Sequence, residues 1–148
     1  MSIWFRTHTL AELALLGRDT MTEHIGIEVT ELGDDFIAGR MPVDRRTLQP
    51  YGLLHGGASM ALAETLGSYG AALTVDPERQ VAVGVEINAN HLRSARSGWV
   101  HGIARPVYLG GRTQVWSIDI RGEDGQPTCV SRLTVAIMPK RTASVDKQ

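Results

Sequence analysis

One acidic residue stands alone in a long uncharged stretch. From Gly52 to Val75, Glu64 is the only Asp, Glu, Lys or Arg. Its neighbours Ala61, Leu62, Ala63 and Leu66 are apolar, and such surroundings raise a carboxylate pKa. Burying an ionised carboxylate without partners is costly. Two readings follow: Glu64 lies on a solvent-facing strip, or it is a general base or nucleophile at a site edge. Ser68 stands one helical turn later on the same face. Its hydroxyl could bond the carboxylate, hold a water beside it, or bond back to the Glu64 carbonyl.

The second chemical feature is Gln49-Pro50-Tyr51-Gly52-Leu53-Leu54-His55-Gly56-Gly57. A Gly-Gly pair entering a helix leaves free backbone N–H groups at the positive end of the dipole. Such groups hold an anion, or an oxygen that becomes one. Gly56 has no Cβ, so a carbonyl can approach its N–H, and Gln49 offers a neutral side-chain donor. His55 reads either as a site residue or as a structural hydrogen-bond partner at the helix start.

Other chemistries lack their residues. There is no G-x-S-x-G elbow, H-E-x-x-H, G-x-G-x-x-G or P-loop lysine. The five histidines are scattered at 8, 24, 55, 91 and 101. His91 and His101 could share a sheet face, but no third metal ligand accompanies them. Cys129 is the single cysteine, which leaves no disulfide framework. The expectation is an enzyme without metal or cofactor. No apolar run approaches the roughly 18 residues of a membrane span. The N-terminal residues do not read as a secretory signal, so the expected location is the cytoplasm.

The formal net charge of -1 conceals an uneven distribution. Residues 79–112 carry Arg79, Arg93, Arg96, Arg105 and Arg112 against Glu86 alone, after an acidic segment over 1–78. That block suits a locally engaged anion. The plainer reading is arginines that are solvated or paired with the acidic segment. The near-neutral total gives no nucleic-acid footprint.

The elements that must position these residues can be read by period. Thr9 and Glu12 form a capping box for a helix over 10–17, and Thr20 with Glu23 repeats the spacing. Ile25–Thr30 and Phe36–Val43 read as a hairpin turned at Gly33-Asp34-Asp35. Residues 57–74 read as a long helix, apolar nearly all round and therefore buried nearly all round. Alternation then predicts strands at 81–90, 99–108, 113–121 and 128–138. Gln114, Trp116, Ile118 and Ile120 fall on one face of the third of these. Tight turns between strands imply an antiparallel sheet. The whole is one α+β domain over 1–138, a sheet curled around one helix, with a frayed tail over 139–148.

The segment Gln49–Ser68 (Q-P-Y-G-L-L-H-G-G-A-S-M-A-L-A-E-T-L-G-S) resembles the hotdog-fold acyl-CoA thioesterases. It is most similar to the Arthrobacter-type 4-hydroxybenzoyl-CoA thioesterase subgroup, which includes 1,4-dihydroxy-2-naphthoyl-CoA hydrolases and the enterobactin proofreading thioesterase. The likeness extends over roughly residues 2–138, through M-P-V-D-R-R-T before Gln49 and N-A-N-H-L-R after the helix. It implies a sheet wrapped around a long helix and hydrolysis of an aryl-CoA thioester. It implies Glu64 as nucleophile or base, Gly56 N–H and Gln49 as carbonyl donors, and His55 and Ser68 close by. His91 and Arg93 would lie near the CoA moiety, and Gly111-Arg112 near its phosphates. The expected partners are acyl-CoA or an acyl carrier protein, and copies of the chain as a dimer or a tetramer of two dimers; the resemblance implies that each site takes Glu64 from one copy and Gln49 to Gly56 from the other. Hydroxyacyl dehydration and non-catalytic acyl-CoA binding are the competing functions.

Overall fold

A computed structural model describes residues 1–141. Helix α1 (Leu10–Leu16) begins at the expected capping box. The Thr9 hydroxyl accepts from the Glu12 N–H, and the Glu12 carboxylate accepts from the Thr9 N–H. The four-residue α2 (Met21–His24) is capped by Thr20. Strand β1 (Glu28–Leu32) starts later than the alternation suggests. Ile27 N–H closes a turn onto the Thr22 carbonyl, and Gly26 takes a positive φ of 77°, so 25–27 finish the helical turn first.

Then come β2 (Ile37–Pro42), the long helix α3 (Gly56–Leu73), and four strands. These are β3 (Gln80–His91), β4 (Trp99–Leu109), β5 (Thr113–Gly122) and β6 (Pro127–Pro139). All pair antiparallel in one sheet of order β1-β2-β4-β5-β6-β3. Strand β3 does not pair with its chain neighbour β4. It forms the far edge beyond β6, so the connection through α3 must cross the sheet. Helix α3 accordingly touches β2, β3, β4, β5 and β6. Beyond β6, the Lys140 N–H bonds the Arg79 carbonyl. The rest of the expected tail, 142–148, lies outside the described residues.

The core lies between α3 and one sheet face. Leu62, Leu66, Ile37, Met41, Val100, Ile118, Ile120, Leu133 and Val135 are fully buried there. Each such side chain contributes about 1.5–3 kcal/mol on leaving water. Gln114 and Trp116 share the inward face with Ile118 and Ile120, as the alternation predicts. The Trp116 indole N–H donates to Gln114 Oε1, and Gln114 Nε2 donates to Thr74 Oγ1 (3.0 and 2.8 Å). This chain satisfies the buried amide and ties β5 to the end of α3. Trp4 stacks on Trp116 and docks the N-terminal segment.

Helix α3 is not buried all round. Ser59, Leu62, Ala63, Leu66, Gly67 and Gly70 face the sheet, whereas Ala61, Glu64, Thr65 and Ser68 are half-buried and Ala72 is exposed. Composition could not separate the two faces, because the free one carries small residues instead of charged ones.

Candidate active site

The loop before α3 is pinned from both sides. The buried Thr47 hydroxyl donates to the Pro42 carbonyl (2.7 Å). His55 N–H bonds the Thr47 carbonyl and Leu54 N–H bonds the Ala95 carbonyl, each at 2.8 Å. Gln49 Oε1 accepts from the Tyr51 N–H. With its oxygen occupied, the Gln49 amide presents its NH₂ group as the outward donor.

His55 is the N-cap of α3. Its Nδ1 accepts from the Gly57 N–H (2.8 Å), which puts the proton of the neutral ring on Nε2. Both sequence readings of His55 are thus compatible: one nitrogen is structural and the other is a free donor. Gly56 N–H has no protein acceptor among the described residues. His91 explains why position 56 is glycine. A Cβ there would stand 2.8 Å from His91 Nε2.

Gln49, Gly56 and His91 converge on one cleft of about 270 Å³, and His55 is not in its wall. The cleft is lined by Gln49, Gly56, Ser59, His91, Arg93 and Thr128, among others. The structure therefore brings together Gln49, Gly56, His91 and Arg93 as the resemblance implies. His91 and His101 do not share a face. His91 falls in the register row of Cys129, Ile120 and Gly102, which faces α3, so His101 points to the opposite side.

Glu64 is elsewhere in the same chain. It lies eight residues along α3 from Gly56, about 12 Å at ~1.5 Å per residue. Its Oε1 rests against Gly84 of β3, so closely that a Cβ there would have to displace it. Gly84 also opens the irregular rung of the β3–β6 ladder. This glycine went unrecognised in the sequence. The available signal was a glycine inside a valine-rich strand, which marks a bulge or a close approach. Burial raises the Glu64 pKa, and the Ser68 hydroxyl opposes that in part. Ser68 thus acts on the carboxylate and does not bond back to the Glu64 carbonyl. The back-bond of this turn is instead Thr65 Oγ1 to Ala61 (2.7 Å).

Gly111 and Arg112 form the β4–β5 turn. The row of Thr113, Ala136 and Val83 lies there, far from His91 at the opposite end of β3. One chain therefore does not unite the two expected CoA-binding segments. Of the arginine block, Arg105 pairs with Asp35 (2.9 Å), the plainer of the two readings. Arg79, Arg93, Arg96 and Arg112 have no ion pair among the described residues.

The comparisons with known proteins agree with this geometry. The profile of the thioesterase superfamily matches residues 51–129. The 1,4-dihydroxy-2-naphthoyl-CoA hydrolase of Escherichia coli is 51% identical over 136 residues, covering 92% of this chain and 99% of that protein. The proofreading thioesterase EntH of Cronobacter turicensis is also 51% identical over 136 residues, covering 92% and 98%. The crystal structure of a thioesterase from Haemophilus influenzae superimposes with a TM-score of 0.90 at 48% identity, covering 93% of this chain and 95% of that one. A free helix-start N–H beside an amide donor, a desolvated glutamate, and a sheet crossed by one long helix converge with these likenesses: the chain belongs to the thioesterase superfamily, in its hotdog fold.

Proposed function

We propose that this chain hydrolyses an acyl-CoA thioester at a site shared by two copies. The observation that carries the reading is the split of one constellation. The carbonyl donors Gly56 N–H and Gln49 Nε2 open on one cleft, while the carboxylate of Glu64 sits at Gly84, half a strand away. Edge strand β3 is 12 residues long and leaves Val81, Val83 and Val85 exposed. Such an edge is a template for a second copy. Antiparallel pairing of β3 with itself lays the Gly84 half of one strand beside the His91 half of the other. Glu64 of one copy then approaches the Gly56 cleft of its partner. The same operation brings Arg79 and Arg112 toward the arginines at 93 and 96 across the pair, where the charges suit CoA phosphates.

Chemically, the two donors stabilise the oxygen as the thioester carbonyl becomes tetrahedral, worth about 3–4 kcal/mol per donor. Glu64 either attacks that carbon to give an acyl anhydride or removes a proton from attacking water. CoA leaves as the thiol. Nothing in this scheme calls on a metal or cofactor. An aryl acyl group such as hydroxybenzoyl or dihydroxynaphthoyl is favoured by likeness to the naphthoyl-CoA hydrolase. A dimer-of-dimers assembly and a cytoplasmic site of action complete the reading, with a pantetheine-bearing carrier protein as the alternative acyl donor to CoA. Glu64→Ala should lower kcat by roughly 10²–10⁴-fold with little change in KM, measured by thiol release from benzoyl-CoA. Unchanged turnover would remove Glu64 from the chemistry.

A further inference from the structure

The N-terminal segment crosses the C-terminal end of α3 on few attachments. Ile3 N–H bonds the Asp34 carbonyl (3.0 Å), and Phe5 N–H bonds the carbonyl of Leu73, the last residue of α3 (2.8 Å). The Trp4 indole N–H donates to the Gly33 carbonyl (2.6 Å), and its ring stacks on the buried Trp116. Arg6, Thr7 and His8 make no backbone hydrogen bond to another segment among the described residues. The packing here is incomplete. An inner cavity of about 190 Å³ and an open hollow of about 470 Å³ flank the segment, and Arg6 and His8 line both. A stretch with few attachments and unfilled space beside it is the kind that opens locally.

His8 stands just before the cap of α1. Its Nε2 is out of reach of water and is the one buried side-chain nitrogen or oxygen without a hydrogen-bond partner among the described residues. A neutral ring meets this by keeping its proton on Nδ1 and leaving Nε2 a bare acceptor. A charged ring carries N–H on both nitrogens, so protonation places a donor on Nε2 with nothing to receive it. The charged groups around the ring are Arg6 of its own segment, Glu12 of α1, and Asp34 of the β1–β2 turn on the wall of the outer hollow. The residues facing it from the end of α3 and the loop beyond (Ala72, Leu73, Val75 and Pro77) carry no charge. The Glu12 carboxylate is already engaged by the Thr9 N–H and by Arg6 (2.9 and 3.4 Å). Burial first, and then Arg6, lowers the His8 pKa, and Glu12 opposes this in part.

We propose that residues 1–9 form a strap that latches over the end of α3 while His8 is neutral and lifts off when the ring takes up a second proton. The lifted ring is hydrated, so the open strap holds that proton more tightly than the closed one. Closure is therefore fully favoured above the ordinary histidine value of 6.5, and weakens as pH falls from there through the lowered one. Lifting strips Trp4 from Trp116 and takes the Phe5 N–H from the Leu73 carbonyl. The last turn of the helix that carries Glu64 then loses its tether.

The test is acrylamide quenching of tryptophan fluorescence from pH 8 to pH 5, with far-UV circular dichroism alongside. A full-length Trp99→Phe chain leaves Trp4 and Trp116 as the reporters. Quenching should rise about twofold, reversibly, with a midpoint below 6.5 and unchanged ellipticity. His8→Leu and His8→Gln, neither of which can charge, should each keep quenching flat over this range. His101→Gln, at an exposed histidine of β4, should leave the transition in place. The His8 ring signals in the NMR spectrum should titrate with the same midpoint as the quenching. No transition with His8 intact, a transition that persists in the His8 variants, or a different His8 midpoint overturns the latch. Ellipticity lost in step with quenching also overturns it, because that marks global unfolding.

Discussion

Glu64 and Gly84 form a pair in which one residue exists to make room for the other. Restoring a methyl group at Gly84 must push the carboxylate away or open the strand. Gly84→Ala should therefore cut kcat about tenfold to a hundredfold while far-UV circular dichroism is unchanged, because misplacement near 1 Å is enough. A full-rate Gly84→Ala enzyme would show that the contact is incidental. Burial raises the Glu64 pKa above its ordinary 4.5, so the folded chain holds this proton more tightly than the unfolded chain. The stability linked to that proton is complete below the unfolded carboxylate pKa and is lost as pH rises through the folded one. At pH 7 the ionised group is a burden. Glu64→Gln should raise Tm at pH 7, and the gain should fade toward pH 4; a gain independent of pH would assign it to packing. Glu64, Gln49 and Gly56 stand out in the sequence as candidates because each is an odd residue type in its surroundings. Gly84 does not, since a glycine in an alternating strand looks like one more non-core position.

The elements were legible to the extent that their signals are local. The capping box at Thr9, the hairpin turn and the alternation of β3 through β6 are written in neighbouring residues. Strand order is not: β3 sits beyond β6 because α3 carries the chain across the sheet, and no local pattern encodes that. The free face of α3 was equally hidden, because alanine and serine suit a tight interface as well as a core. The structural consequence is an unpaired β3 edge. Val83 is 47% exposed there and faces away from the Gly84 side, since successive strand residues alternate. A lysine at such a place opposes edge-to-edge pairing. Val83→Lys should give a folded monomer by light scattering, with near-normal Tm and almost no thiol release. An active Val83→Lys monomer would mean that each chain holds a complete site.

At the scale of the whole molecule, the separation of donors and carboxylate can be tested without any structure of the assembly. Glu64→Ala and Gln49→Ala chains should each be nearly inactive as homodimers. Suppose they are unfolded together and refolded as an equal mixture. If every site takes Glu64 from one chain and Gln49 from the other, a mixed dimer has one site with both residues intact and one with neither. About half of the dimers are mixed, so about a quarter of the original activity should return. If both residues serve the same chain's site, every site in the mixture still lacks one of them and nothing returns. The -1 net charge bears on the same point. Arg105 apart, its basic block is divided between the two ends of β3 in one chain, and the proposed two-fold pairing would gather it. Raising the salt from 50 to 300 mM during assay should therefore raise KM for benzoyl-CoA in the rescued mixture as in the unaltered dimer, because both retain the assembled arginines.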